Sequence, residues 1–124
     1  MKQNTRALHA ASYEHWNLVT HSFADFIAMH RKELAEIDGL TSLDDLSPEN
    51  MILLTAHAEK GIVQAETAYL LHRSGNMDHD VFEKRVNSLA SYMNQHPLLW
   101  EAWDLTKEQR ADDFVNKIEG MRNL

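Results

Sequence analysis

Cysteine is absent from the 124-residue chain, which excludes disulfides, thiolate zinc sites and a cysteine nucleophile and leaves the redox compartment unmarked. Glycine (four) and proline (two) are scarce. Glycines so few and so scattered build no phosphate-cradling loop, and no serine stands in a nucleophile-elbow setting. Basic residues are outnumbered, twelve against nineteen acids, for a formal charge of -7. Without a basic stripe the chain has nothing to hold a nucleic acid backbone, and an acidic surface repels anionic lipid headgroups. Long apolar runs are missing too. The longest uncharged stretch, Val86 to Trp100, is fifteen residues and contains Asn, Ser, Gln, His and Pro, too short and too polar to span a bilayer. The N-terminal MKQNTRALHAAS has no apolar core of signal-peptide type. The expectations are therefore a cytoplasmic protein, no direct membrane insertion and no nucleic acid partner.

What remains is a 44% hydrophobic sequence of a length that buries one ordinary core, so residues 1–124 are expected to form a single helical domain. No stretch alternates as a strand does. Trp16, Val19, Phe23, Phe26, His30, Leu34 and Ile37 recur at spacings of three and four, and Leu8 and Ala11 extend the stripe upstream. A first helix is predicted over about 5–37, ending near Gly39. Unbroken, it would measure about 50 Å at 1.5 Å per residue, so it either bends near His21-Ser22 or packs its excess length on a second copy.

Ser47-Pro48-Glu49 reads as cap, first helical residue and dipole-matched acid, opening a second helix over 48–73. On its apolar face Ala58, Gly61, Ala65 and Ala68 are small, which anticipates a neighbouring helix at close range, under a large side chain such as Trp16 or Phe23. Gly75 breaks that helix. A third is predicted over 78–95, with Val81, Phe82, Val86, Leu89 and Met93 buried, and His96-Pro97 stops it. A short helix near residues 98–103 follows. Thr106-Lys-Glu-Gln fits a capping box, so a last helix is predicted over 106–121. The expected fold is all-α: a single antiparallel helical bundle of four main helices plus the short one.

The segments NTRALHAASYEHW (4–16), LSPEN (46–50), AYLLHRSGNMDHDVFE (68–83), PLLWEAWD (from 97) and ADDFV (to 115), with the HRKEL region, occur in an order that resembles a functionally uncharacterised group of bacterial helical proteins. Longer members of that group carry one or two transmembrane helices before the soluble part. The shared motifs are helix boundaries and core positions, so the resemblance implies a fold rather than an activity. These 124 residues contain no anchor of that kind, which places the present chain apart from the longer members.

Asp78-His79-Asp80 concentrates the candidate chemistry. Helical metal-dependent phosphohydrolases use a histidine-aspartate doublet to hold ions that activate water, and here His79-Asp80 has His57 upstream and Asp104, Asp112 or Asp113 downstream. The alternative function is thus a metal-dependent hydrolase with His57, His79, Asp80 and Asp112 as ligands. Against it, the doublet sits at a helix start, where Asp78 caps and Asp80 adds favourable charge. His79 and Glu83, four apart, supply at most two ligands. His30 and His72 fall on apolar stripes and, if buried, need a hydrogen-bond partner or serve as ligand or pH sensor. His9, His15 and His21 read as surface residues. Trp100 and Trp103, with Leu98 and Leu99, make the densest apolar patch, either a lid on the bundle or a partner-binding surface. The favoured expectation is a non-enzymatic acidic bundle without cofactor. It would bind an unknown protein partner, or itself as a homodimer, through the first helix and the tryptophans Trp16, Trp100 and Trp103.

Overall fold

The computed structural model describes residues 2–122, with side chains from residue 14 onward. The chain is all-helical, and no strand occurs among the described residues. Six α-helices follow one another: α1 Lys2–Met29, α2 Arg31–Asp38, α3 Pro48–Arg73, α4 His79–Gln95, α5 Leu98–Thr106 and α6 Asp112–Gly120. Short 3-10 turns at Leu43–Asp45 and Lys107–Gln109 precede α3 and α6.

Helix α3 is the axis of the molecule, packing against α1, α2, α4 and α5. Its buried residues, from Leu54 through Ile62 to Leu71, lie on one half of the helix, a face broad enough to meet these neighbours. The pairs Thr20–Gln64 and Ser22–Lys60 run α1 antiparallel to α3. His57–Tyr92 and Tyr69–Phe82 do the same for α4. Small residues let the three rods approach, as their pattern predicts. A Cβ added at Gly61 would lie 3.2 Å from Leu89 Cδ1 on one side and from the Phe23 ring on the other.

Helix ends follow local chemistry in most places. Ser47 Oγ accepts the backbone N–H of Asn50 at 3.1 Å, with Pro48 in the first turn. At the other end of α3, Gly75 takes φ 80°, while the Gly75 N–H reaches the His72 carbonyl and that of Asn76 the Leu71 carbonyl. That is the two-bond closure in which a left-handed residue, best supplied by glycine, satisfies the last carbonyls.

Three helix ends differ from expectation, two in position and one in its capping. The first helix breaks at His30 (φ -114°, ψ 23°), well past His21-Ser22. The short α2 that follows sinks Ile37 into the core, 2% exposed. Asp78 does hold the N-cap position of α4, but its carboxylate makes no capping hydrogen bond, so its contribution there is charge alone. Thr106 closes α5 rather than opening the last helix, and it makes no side-chain cap. Tertiary contacts override the capping-box pattern: Trp103 is fully buried, and Arg110 is drawn onto Glu59 and Glu66 of α3. The intervening chain is spent on that crossing, and α6 starts at Asp112.

Candidate functional site

The three tryptophans named as interaction residues all face inward. Trp16 is 6% exposed beneath the Arg85 guanidinium, 4.9 Å from the ring. The Trp100 indole N–H donates to Asn94 Oδ1 at 2.9 Å, and Arg122 covers its ring at 5.0 Å. The Trp103 N–H donates to Glu119 Oε1 at 2.8 Å, and the ring meets Phe114 edge-on. With Trp100 2% and Trp103 0% exposed, both indoles lie in the core that α5 closes.

The hydrolase ligand set is not assembled either. Among the described residues no group of three or more histidine, aspartate or glutamate side chains comes close enough to hold a metal ion. The reason is the antiparallel packing of α3 on α4. His79 meets His72, at a ring-centre distance of 5.2 Å, and His72 lies fifteen residues along α3 from His57, about 22 Å at 1.5 Å per residue. Asp80 and Asp112 are exposed in the first turns of α4 and α6, where they face the positive helix ends.

His57 instead occupies the opposite end of the α3–α4 pair, in a chain of polar contacts. It is 3% exposed. Its ring stacks near Phe23 and Phe26, and its Nε2 hydrogen-bonds the Tyr92 hydroxyl at 2.8 Å. The Tyr92 ring lies 4.4 Å from that of His96, whose Nδ1 bonds Asp38 Oδ1 at 2.8 Å and so ties α4 to α2. Burial pushes the His57 pKa from 6.5 down to about 4, with the nearby His96 adding to the shift and Asp38 opposing it. Tyr92 is pushed up, by burial first and then by Asp38. A neutral imidazole beside a protonated phenol is the form that such an apolar setting selects. His57 Nδ1 has no partner among the described residues, and the adjoining cavity, lined by Leu34, Ile37, Leu54 and Leu98 among others, measures about 20 Å³. That volume accepts one water and no substrate. Tyr92, His96 and Asp38 were not singled out in the sequence. The only local hint was that His96 and Asp38 each stand at a helix end.

The outer flank of α1 and α3 has a different character. Leu18, Ser22, Asp25 and Met29 share one exposed face of α1 at steps of four, three and four, with Leu18 69% and Met29 75% exposed. Ile52, Ala56, Glu59 and Val63 repeat those steps on α3, with Ile52 72% exposed. Between the helices runs an open groove of about 410 Å³, bordered by Leu18, Val19, Ser22, Glu59, Lys60 and Val63. It adjoins a hollow of about 390 Å³ reaching Asp25, Phe26 and Met29. Lys60 spans the floor, donating to Ser22 Oγ at 3.0 Å while lying 5.6 Å above the Phe26 ring.

No helix among the described residues is long and apolar enough to cross a membrane. Comparison with known proteins finds no match to a family model, to a curated protein or to a solved structure.

Proposed function

We propose that the protein is a non-enzymatic self-association module whose working surface is the exposed flank of α1. The observation that carries this reading is the symmetry of the α1 face. Leu18, Ser22, Asp25 and Met29 are apolar, polar, polar and apolar, and the spacing reads the same in both directions. A two-fold dimer requires such a self-complementary patch. Laid antiparallel on its copy, α1 would set Leu18 against the other Met29 and bring each Ser22 hydroxyl to the other Asp25 carboxylate. Ser22 already accepts from Lys60, so its own proton is the one to donate. The groove beside it would receive the flanking apolar side chains.

The architecture favours the same surface. We read α1, α3 and α4, with α5 and α6 together in a fourth place, as an antiparallel bundle in which α1 keeps one flank uncovered. The net charge of -7 opposes association of two copies, and salt screens that repulsion, so the dimer should strengthen as ionic strength rises.

Light scattering at micromolar concentration tests the proposal. The expected mass is about twice the 14.3 kDa of the chain, falling to the single-chain mass in Leu18→Glu and in Met29→Glu, both at exposed positions that leave the core intact. A wild-type monomer at that concentration, or a dimer indifferent to both substitutions, refutes it.

A further inference from the structure

The turn between α3 and α4 brings together two imidazoles that the proposed dimer does not use. His72, in the last turn of α3, directs Nδ1 at the Met77 carbonyl, 3.3 Å away. Only a protonated Nδ1 donates to a carbonyl, so this contact leaves the lone pair on Nε2, the tautomer in which a metal-binding histidine is oriented by a backbone oxygen. The ring is also held flat against Phe82, at 4.6 Å and 8° between planes. His79, in the first turn of α4, is 65% exposed at its side chain.

We infer that His72 and His79 form an open two-histidine site for a divalent transition-metal ion of the zinc type. The separation of the rings supports this. A nitrogen bound at about 2.05 Å, plus about 1.2 Å from that nitrogen to the ring centre, puts each centre about 3.2 Å from the ion, and a tetrahedral angle then sets the two centres about 5.3 Å apart. The rings stand 5.2 Å apart. Glu83 lies beside the pair, with Oε1 3.7 Å from His79 Nε2. That oxygen is ion-paired with Lys117, so Glu83 supplies neither a bond nor a net field, and water would complete the coordination. An ion so placed closes the α3–α4 turn across Ser74, Gly75, Asn76, Met77 and Asp78. Because the unfolded chain does not hold the two rings together, binding also stabilises the fold.

Calorimetric titration of tag-free protein with zinc chloride, paired with thermal unfolding with and without zinc, tests the site. One zinc per chain is expected, with a raised melting temperature in the wild type. Affinity should fall at least tenfold in His72→Ala and in His79→Ala, and zinc should no longer raise their melting temperature. His21→Ala, on a distant exposed position of α1, should bind as the wild type does. His79 is exposed and outside the core, so its variant folds even if loss of the His72–Phe82 stack weakens the other. Absence of one-to-one binding, or binding that persists unchanged in His79→Ala, overturns the inference.

Discussion

Mild acid should weaken the fold through His57. The unfolded chain takes up this proton near pH 6.5, whereas the folded protein takes it up only near 4. Between those values the unfolded state holds more protons, so stability falls as the pH falls through that window. That separation corresponds to about 3 kcal/mol, of which about 2 kcal/mol is realised between pH 7 and pH 4.5. Solvent reaches the neighbouring His96–Asp38 pair, 28% and 46% exposed, and screens part of this, so about 1–2 kcal/mol is the expected loss. Depressed carboxylates act lower on the pH scale. Glu83 is held down by the hydrogen bond from Lys117 and Asp104 by that from Arg122. For Glu119, burial pushes up but is outweighed by the bonds from Trp103 and Lys107. Each of these three contributes stability above its ordinary carboxylate range and loses it only as the pH falls through its still lower folded value.

Urea denaturation of the wild type and of His57→Gln at several pH values between 7 and 4.5 isolates the histidine. Glutamine keeps a hydrogen-bonding end for Tyr92 but cannot take up a proton. The two stabilities should converge on acidification as the wild type loses its additional 1–2 kcal/mol, about a 5- to 30-fold change in the unfolding constant. A wild type and variant that fall in parallel over this window would refute the assignment of His57 as a buried neutral base.

Two further substitutions probe the packing and the caps. Gly61→Val should destabilise by about 1–3 kcal/mol in urea denaturation, because a branched side chain has no room between Leu89 and the Phe23 ring; a variant as stable as the wild type would contradict the close approach of α1 and α4 to α3. Ser47→Ala should cost about 1 kcal/mol through the lost bond to Asn50. Asp78→Ala should cost a few tenths, since only charge at the helix end is removed. Equal losses in thermal unfolding of these two variants would show that the two caps are equivalent.

Much of the helical layout was legible because it rests on chemistry within one or two turns. A serine before a proline opens a helix by satisfying backbone donors whatever the rest of the chain does, and α3 starts where Ser47-Pro48 said it would. Gly75 ends it because the left-handed backbone there carries almost no penalty without a Cβ. The residue before Pro97 left helical geometry for an equally local steric reason. The small face of α3 called for a large neighbouring side chain such as Trp16 or Phe23, and at Gly61 that neighbour is Phe23.

Thr106 shows where local reading stops. Its capping-box pattern is sound in isolation, yet the burial of Trp103 and the reach of Arg110 to two glutamates on α3 hold that chain segment in another path. The same applies to the candidate sites. The spacing of His57, His79, Asp80 and Asp112 along the chain carries no information on which faces and which ends of antiparallel helices meet. Periodicity and caps were enough to determine an all-helical chain and most of its helix ends, since those depend on neighbours a few residues away. Whether His79 would face His57 or His72, and whether the tryptophans would point in or out, depended on how helices of 9 to 28 residues slide and rotate against one another, and only packing of the assembled core decides that.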